Sequence, residues 1–323
     1  MKTDNRIRGT EALEYVESRL EYPLDTLLKF PKFFLIETTN ICNARCVMCG
    51  IDFEKKKKQV MTDELFSKLA DEIGKHSDHV EKVMLYLDCE PLLDRKLPAR
   101  IRMMKEKGVK RVNIASNASL LNYARSSDIM SAGLDEIYIT LDSMKKDVFE
   151  AIRPGLKYEM VYDNIINFVK WRDEIGSDVM IRMQMVMQDK NKDEGEAFVE
   201  HWSSILKETD QVVVQKAHNW GTLVNIMKFG DENNVNDIPC IALWGTFCIH
   251  VDGEVDLCCM DTGGAVPIGN VASQTIAEVW SGDAVNKVRD LHVSGEREKI
   301  SICDGCTLWR DSKHDRGNVQ QDG

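Results

Sequence analysis

Short apolar runs alternate with amphipathic helical patterns along the middle of the chain. The apolar runs are rich in β-branched and aromatic residues, which predicts buried strands. They cover residues 33–36, 83–87, 112–115, 137–141, 179–186 and 212–214. Strands separated by helices of this length predict a parallel sheet with crossover helices. The expected fold is α/β, a partial TIM-like barrel with about six strand and helix units, fewer than the eight of a closed barrel.

The segments around this repeat differ from it. Helical spacing within the repeat is clearest at Leu65, Phe66, Leu69 and Ile73, and again at Ile165, Phe168 and Val169. Residues 1–30 predict an amphipathic helical segment that closes one end of the barrel. Glycine, aspartate and asparagine are frequent in residues 227–236, which predicts a linker. The expected domains are therefore residues 1–30, a barrel over 31–230, and a small C-terminal domain over 237–323.

Charge and composition exclude several classes of protein. The 323 residues include 42 basic and 53 acidic side chains, a formal net charge of −11, which argues against a nucleic-acid partner. The one basic run, residues 55–58, is interpreted as a solvated loop. No apolar run approaches the roughly 18 residues of a transmembrane helix, and the polar start is not a signal peptide. We therefore expect a cytoplasmic protein without a membrane partner.

Cys42, Cys46 and Cys49 follow the first predicted strand with the spacing CxxxCxxC. Three thiolates at this spacing can hold three irons of a [4Fe–4S] cluster and leave the fourth iron open. The alternative is that the three cysteines are small apolar residues on one face of a helix, because free cysteine packs well in cores. The segment TTNICNARCVMCG favours a loop, since threonine and asparagine are frequent there.

This arrangement resembles the radical S-adenosylmethionine (SAM) enzymes. In that family the open iron binds the amino and carboxylate groups of SAM, and the reduced cluster splits the sulfonium to release a 5′-deoxyadenosyl radical, which removes a hydrogen atom from the substrate. The resemblance implies Cys42, Cys46 and Cys49 as iron ligands in this chain. It also implies a SAM-bound cluster at the carboxyl ends of the strands and an external electron donor such as flavodoxin or ferredoxin.

The motif after the second strand is similar to a SAM contact of that family. Asp88, Cys89, Glu90 and Pro91 resemble the Gly-Gly-Glu-Pro motif, in which the acid accepts hydrogen bonds from the amino group of SAM. Glu90 matches, whereas Asp88 and Cys89 replace both glycines. Met48 stands where the family usually has an aromatic residue, and its thioether could pack against adenine.

Two further strand ends resemble SAM contacts. Ser116 and Asn117 follow the third strand, like the family segment that reaches the ribose and carboxylate of the cofactor. Thr140 and Asp142 end the fourth strand, like the family's Ser-Leu-Asp end that faces the ribose. Polar residues often end strands, so the order and spacing of these segments carry the resemblance.

Six of the ten cysteines come after the predicted linker. Four of them form two pairs, Cys240 with Cys258 and Cys303 with Cys306, and could bind zinc as readily as iron and sulfide. The sequence predicts a hairpin over residues 246–257 with a tight Asp-Gly turn, which would bring Cys240 near Cys258. A helical stretch over residues 275–288 would return the chain to the last pair. This segment resembles the twitch domain, the shortened SPASM domain of radical SAM enzymes, which implies one auxiliary [4Fe–4S] cluster.

Cys89, Cys248 and Cys259 remain outside these sets. Packed thiols account for most free cysteines. The functional interpretation is that one of them, with Cys248 and Cys259 as the candidates, returns a hydrogen atom to a substrate radical, as in radical epimerases. Cys259 adjoins Cys258 and could instead replace it as an iron ligand.

The polar residues expected to face the barrel interior are Arg153, Arg182, Gln184, His218 and Trp220. Arg182 and Gln184 alternate along one strand, so they share a face, while methionines between and beyond them take the other. If the polar face is the interior, Arg182 contacts the substrate with Arg153; if it is the exterior, Arg182 is a surface charge. The interior is favoured because exterior positions must pack under helices. His218 is as consistent with a structural role in a turn as with ligand binding.

The resemblance to twitch enzymes implies a small polar substrate, with a sugar or an aminocyclitol favoured. The expected reaction is either oxidation, with the auxiliary cluster accepting an electron, or epimerisation, with a thiol returning hydrogen. One alternative is a maturase of ribosomally made peptides on the same scaffold. The other is an iron–sulfur or zinc protein without enzymatic activity.

Overall fold

One mixed sheet organises the described part of the chain. The computed structural model describes residues 6–52, 57–217 and 238–306. Within them, nine strands lie in the order β6-β5-β4-β3-β2-β1-β7-β8-β9. The strands are β1 Phe33–Ile36, β2 Lys82–Met84, β3 Val112–Ser116, β4 Glu136–Thr140, β5 Met180–Met187, β6 Gln211–Lys216, β7 Thr246–Ile249, β8 Glu254–Asp256 and β9 Pro267–Asn270. Neighbours from β1 to β6 are parallel and form the partial barrel.

Helices connect the parallel strands and flank the sheet. The α-helices of the described residues are α1 Thr10–Leu20, α2 Leu24–Lys29, α3 Asp63–Gly74, α4 Leu97–Glu106, α5 Tyr123–Ser131, α6 Lys146–Ile152, α7 Tyr158–Glu174, α8 Gly195–Ser203, α9 Ala242–Gly245, α10 Ile276–Trp280 and α11 Asp283–Val293. Two short 3-10 helices cover Pro91–Leu93 and Arg297–Lys299. None of the helices described is long and apolar enough to cross a membrane.

The predicted partial barrel is confirmed, and six predicted strands form with boundaries shifted by a few residues. The second is shorter than expected, since β2 ends at Met84. The single helix predicted over residues 275–288 is wrong, because α10 and α11 are separate. Gly282 lies between them, where glycine disfavours a continuous helix by about 1 kcal/mol.

The C-terminal hairpin extends the barrel sheet, which the sequence did not predict. Strand β7 pairs in parallel with β1, so that Phe33 is opposite Thr246 and Ile36 is opposite Ile249. The predicted hairpin itself is confirmed: β7 and β8 are antiparallel, and Gly253 in the turn has φ +89°. The predicted linker, His218, Trp220 and residues 55 and 56 of the basic run lie outside the described residues.

The two faces of the barrel strands have opposite character. Met183 and Met185 are fully buried in the apolar core on the helix side. Arg182 takes the inner face, where its guanidinium lies 4.8 Å from the centre of the Tyr138 ring. Lys82 Nζ donates a hydrogen bond to the Tyr138 hydroxyl at 3.0 Å in the same buried layer. Side chains therefore fill the lower barrel interior, and the carboxyl ends of the strands are left for a site.

The N-terminal helices pack on the C-terminal part of the chain. Helix α1 contacts α11, and α2 contacts α9. The backbone N–H of Gly9 donates to Val293 O at 2.9 Å, and Trp280 Nε1 donates to Leu27 O at 3.0 Å. These contacts tie the first and last described elements together.

Candidate functional site

The loop after β1 places three cysteines beside one another. Cys42, Cys46 and Cys49 are free thiols whose charges interact, and the N–H of Cys49 donates to Cys46 O at 3.0 Å. Burial raises the pKa of Cys42 to about 11 and that of Cys49 to about 12. Cationic irons favour the thiolate form, so this donor set fits an iron–sulfur cluster. The helical alternative fails, since residues 38–50 contain no helix.

The cysteine loop rests on the turn after α6. The backbone N–H of Arg45 donates to Pro154 O at 2.9 Å. Gly155 follows with φ +97°, and a Cβ on it would lie 2.9 Å from Asn43 O. Glycine is the residue that tolerates both this backbone conformation and this close approach. The position of the loop therefore depends on Gly155.

Glu90 is held at the end of β3 by two hydrogen bonds. Ser116 Oγ donates to Glu90 Oε1, and the N–H of Asn117 donates to Glu90 Oε2, both at 2.8 Å. Burial raises the pKa of Glu90 to about 6, although these hydrogen bonds oppose the shift. Asn117 Nδ2 also donates to Asn43 Oδ1 at 2.9 Å, which joins this group to the cysteine loop. Three predicted SAM contacts thus lie together beside the cysteines.

Asp142 and Arg153 form a buried ion pair next to the same loop. Arg153 Nε donates to Asp142 Oδ2 at 2.7 Å, and the N–H of Val186 donates to Asp142 Oδ1 at 2.9 Å. Burial opposes the charge of Arg153, but Asp142 and then Cys46 outweigh it and hold the arginine pKa above its usual range. Thr140 is the last residue of β4, two positions before Asp142, and its hydroxyl donates to Ser116 O at 3.4 Å. Arg153 is therefore a cation beside the cysteines, and a direct substrate contact stays a prediction.

Three separate segments bring the other four cysteines together. The charges of Cys240, Cys258, Cys303 and Cys306 interact across the segments. Burial raises the pKa of Cys303 to about 12. Arg297 fixes the last pair by donating to Cys303 O at 3.1 Å and to Cys306 O at 3.5 Å. Four gathered thiols fit a closed cluster, and their role as its ligands stays a prediction.

The remaining predicted residues occupy distinct places. Cys248 is buried on β7, and its charge would interact with Cys258, Asp256 and Asp88. Cys259 is half-buried next to Cys258, while Met48 is buried in the cysteine loop. Arg182 lies on β5 two residues before Gln184, and Gln184 is the residue that pairs with Thr140. These placements leave the hydrogen-donor role of the thiols and the substrate role of Arg182 as predictions.

A cavity of about 540 Å³ lies between the cysteine loop and the C-terminal hairpin. Gly50, next to Cys49, and Thr262, shortly after Cys258, both line it, and Thr262 Oγ1 donates to Gly50 O at 3.2 Å. Among the described residues that line the cavity, Val251 has the one apolar side chain. The cavity therefore lies between the end of the cysteine loop and the C-terminal hairpin, and it offers a polar surface.

The sequence reasoning missed the charged residues of this cavity. Glu37 and His250 directly follow β1 and β7, and Asp256 ends β8. The signal was the alternation of side chains along a strand. Leu35 and Cys248 are paired in the β1–β7 register, and Glu37 and His250 each follow two residues later, so they face the same side of the sheet. That alternation became informative once β7 was known to pair with β1.

Comparison with known proteins gives relatives of modest identity. The "Probable GTP 3',8-cyclase" of Saccharolobus solfataricus is 28% identical over 168 residues, covering 51% of each chain. That of Sulfurisphaera tokodaii is 29% identical over 217 residues, covering 57% of this chain and 66% of its own. The chain thus matches about half to two thirds of the length of these curated relatives.

Solved structures share the fold at lower identity. BtrN in complex with AdoMet and 2-DOIA has a TM-score of 0.59 at 18% identity, covering 86% of this chain and 94% of BtrN. Streptococcus suis SuiB bound to precursor peptide SuiA has a TM-score of 0.66 at 14% identity, covering 86% and 70%. Native anSMEcpe with bound AdoMet has a TM-score of 0.63 at 14% identity, covering 89% and 92%.

Two family matches cover the two cysteine groups. Residues 240–307 match the SPASM iron-sulfur cluster-binding domain, and residues 36–200 match the Radical SAM superfamily. Together they imply a [4Fe–4S] cluster that binds SAM and an auxiliary iron–sulfur cluster, as the resemblance predicted. The Radical SAM match spans about half of the chain, and the protein belongs to the radical SAM superfamily, with a C-terminal SPASM domain.

Proposed function

We propose that this radical SAM enzyme abstracts a hydrogen atom from a sugar or an aminocyclitol and thereby oxidises or epimerises it. The observation that carries the proposal is the polar cavity of about 540 Å³ between the end of the cysteine loop and the C-terminal hairpin. Its size is within the roughly 300–1,000 Å³ of small-molecule sites. Its lining of carboxylates, amides and glycine backbone suits hydroxyl and amino groups, which need hydrogen-bond partners when they are buried.

In this proposal the chain's own residues hold and orient the cofactor. Cys42, Cys46 and Cys49 ligate three irons, and Glu90 accepts hydrogen bonds from the amino group of SAM. When bound, the reduced cluster and SAM supply the radical that takes the substrate hydrogen atom. Ser116, Asn117, Thr140 and Asp142 contact the ribose and carboxylate, and Met48 packs on the adenine. An external donor such as flavodoxin or ferredoxin supplies the electron.

The C-terminal cysteines decide between the two outcomes. Cys240, Cys258, Cys303 and Cys306 would hold an auxiliary cluster, and that cluster would supply the electron acceptor that oxidation of the substrate radical needs; the radical would also lose a proton. Epimerisation instead requires a thiol that returns a hydrogen atom from the opposite face. Cys248 is favoured over Cys259 for that route, because Asp256, whose charge would interact with that of Cys248, lines the cavity.

Modification of a peptide is the second candidate function. It is favoured by the likeness to SuiB bound to precursor peptide SuiA, whose TM-score of 0.66 exceeds that of BtrN. A reaction on GTP, suggested by the cyclase relatives, fits less well, because carboxylates in the cavity would repel a triphosphate.

Anaerobic reactions in deuterated water, read by mass spectrometry, test the proposal. The reconstituted, reduced enzyme is incubated with SAM and a pool of sugars, aminocyclitols and peptides. A sugar or cyclitol product lighter by two hydrogens indicates oxidation, and one of unchanged formula carrying one deuterium indicates epimerisation. A modified peptide with no changed sugar or cyclitol would refute the proposal.

A further inference from the structure

Four ionisable side chains from distant segments meet where β1, β2 and β7 end. His250 lies 2.6 Å from Asp256 Oδ2 through Nε2 and 3.3 Å from Glu37 Oε2 through Nδ1. The ligand atoms of Glu37, Asp88 and His250 all lie within 4.8 Å of one another. The N–H of Val251 donates to Glu37 Oε2 at 3.0 Å, which fixes the carboxylate. We call Glu37, Asp88, His250 and Asp256 the acidic cluster.

Two carboxylate oxygens of the acidic cluster lack a hydrogen-bond donor. Among the described residues, Glu37 Oε1 and Asp256 Oδ1 are buried and accept no hydrogen bond. Glu37 is 1% exposed and Asp256 is 2% exposed, yet both line the cavity. A buried acceptor without a donor is unfavourable, so a ligand with several N–H groups would be stabilised here.

Glycine keeps the cavity wall open beside Asp256. Gly264 has φ +64°, and a Cβ on it would lie 3.8 Å from Asp256 Oδ1 and 3.2 Å from Glu254 Oε1. Gly264 lines the same cavity. Any larger residue would narrow the space in front of these two carboxylates.

The cavity carries an excess of negative charge. Burial alone would lower the pKa of His250. The hydrogen bonds with Asp256 and Glu37 have the larger effect and raise this pKa to about 10. Three carboxylates of the acidic cluster thus surround one imidazolium. Around them the cavity is lined by further acids and one lysine: Asp52, Asp252, Glu254 and Lys57. Burial and then repulsion from Asp256 and Asp252 raise the pKa of Glu254, which reflects the same negative potential.

A protonated amine fits the acidic cluster better than a metal ion. A metal would need a lone pair on the imidazole, whereas each ring nitrogen of His250 faces a carboxylate and acts as a donor. An ammonium group brings N–H donors to the two unsatisfied oxygens and offsets the excess charge without displacing His250. We propose that Glu37, Asp88 and Asp256, oriented by His250, bind a protonated amino group of the substrate.

This inference deepens the proposed function and rests on its assignment of the cavity to the substrate. It narrows the substrates of the proposed function, sugars and aminocyclitols, to those that carry a primary amine. His250 is a positioning residue, since it fixes Glu37 and Asp256 rather than meeting the amine through a lone pair.

Ligand-observed NMR on the anaerobic holoenzyme with SAM tests the site. The probes are glucosamine and streptamine, compared with N-acetylglucosamine, glucose and scyllo-inositol, which lack the charged amine. We expect the amines to bind at least about 10-fold more tightly than their neutral counterparts. Glu37→Gln, which keeps the shape of the side chain, should remove that preference. Glu64→Gln, with the same loss of charge at an exposed position of α3 outside the cavity, should preserve it.

The outcomes separate this inference from the proposed function. Turnover of sugars with equal binding of amines and neutral probes would overturn the amine site and leave the proposed function intact. Amine binding that depends on Glu37, with modification of a lysine peptide and of no sugar or cyclitol, would support the site and overturn the small-molecule function. Tight Mn²⁺ binding seen by electron paramagnetic resonance, and lost in Glu37→Gln, would overturn the amine site in favour of a metal.

Discussion

The two cysteine groups are built in different ways. Cys42, Cys46 and Cys49 come from one half-buried loop, whereas the C-terminal group gathers four cysteines from three segments, of which Cys303 and Cys306 are buried. One loop can present three thiols with few long-range contacts. The four thiols of the second group come together only when the fold brings their three segments into contact. Three thiols leave one iron open to a cofactor, and four close the cluster. The difference in ligand number and burial suits chemistry at the first group and electron transfer or structural support at the second.

Their surroundings differ in the same sense. Charged groups adjoin the loop cysteines, including the Asp142–Arg153 pair and Glu90. Beside the C-terminal group, Arg297 donates hydrogen bonds to backbone carbonyls, including that of Cys303. The Nδ1 of His292 accepts a hydrogen bond from the N–H of Cys240 at 3.1 Å. Burial lowers the pKa of His292 to about 3, so this neighbour is neutral. The charged groups around the loop cysteines suit the binding of a charged cofactor.

Removal of cysteines from either group should give the largest effects, and the two groups should differ most clearly in them. Cys46→Ala should abolish formation of 5′-deoxyadenosine, because two thiols no longer hold the cluster that binds SAM. The double variant Cys303→Ala with Cys306→Ala should lose about half of the iron and sulfide but retain background SAM cleavage while losing the substrate product. Iron and sulfide analysis with chromatography of 5′-deoxyadenosine measures both.

Cys89→Ala is the control, since Cys89 belongs to neither group. It should keep iron, sulfide and SAM cleavage at the parent level. Equal loss of SAM cleavage in the Cys46 and the C-terminal variants would contradict the division of roles between the two groups. Unchanged iron content in the C-terminal double variant would remove the second cluster from its proposed ligands.

Arg153→Met sharpens the electrostatic part of the comparison. The substitution leaves Asp142 buried without its cation, which should lower the free energy of unfolding by about 3–5 kcal/mol. Denaturant unfolding of the anaerobic protein measures the change. Lys146→Met breaks the exposed pair with Glu159 and should leave stability unchanged within error. Similar small effects for both variants would mean that the buried pair contributes no more than a surface pair.

The sequence predicted the barrel and the cysteine loop because both have local signals. The strands of the barrel are short, largely apolar runs of three to eight residues in one stretch of chain, and the loop cysteines lie within eight positions of each other. The same holds for the hairpin, whose Asp-Gly turn is a short-range feature. The barrel strands β1 to β6 are neighbours in the sheet in the same order as in the chain, so the sequence order alone predicts which strands pair.

The joining of β7 to β1 had no such signal. The paired residues Phe33 and Thr246 are separated by most of the chain, and both strands are short. The acidic cluster depends on this pairing, because Glu37 and His250 become neighbours through it. Each is a single polar residue after an apolar run, which by sequence alone is indistinguishable from an ordinary strand end. A site assembled across distant strands therefore required the structure.

Glu90 should give the cysteine loop region a pH dependence in the binding of SAM. Burial raises its pKa to about 6, so the carboxylate that we propose as the acceptor for the amino group of SAM is present above that pH and is protonated below it. SAM affinity should fall as pH drops through about 6, by up to roughly 10-fold per pH unit. Glu90→Gln should bind SAM more weakly above pH 6 and show no such dependence. Equilibrium binding of SAM between pH 5 and 8, with cluster absorbance monitored as a control, measures this; identical profiles for both proteins would exclude Glu90 as the titrating contact.

Gly155→Ala probes the smallest effect, the fit of the cysteine loop on its support. Alanine at φ +97° is strained, and its Cβ would press on the Asn43 carbonyl at 2.9 Å, so we expect a loss of about 1–3 kcal/mol in unfolding free energy and a lower iron content after reconstitution. Gly176→Ala is the matched control, because Gly176 has φ +65° and no atom within 4 Å of the added methyl group. It should carry backbone strain of about 1 kcal/mol and a normal iron content. If the two variants hold iron equally well, the loop cysteines do not depend on the close approach at Gly155, and the loop is set by its other contacts alone.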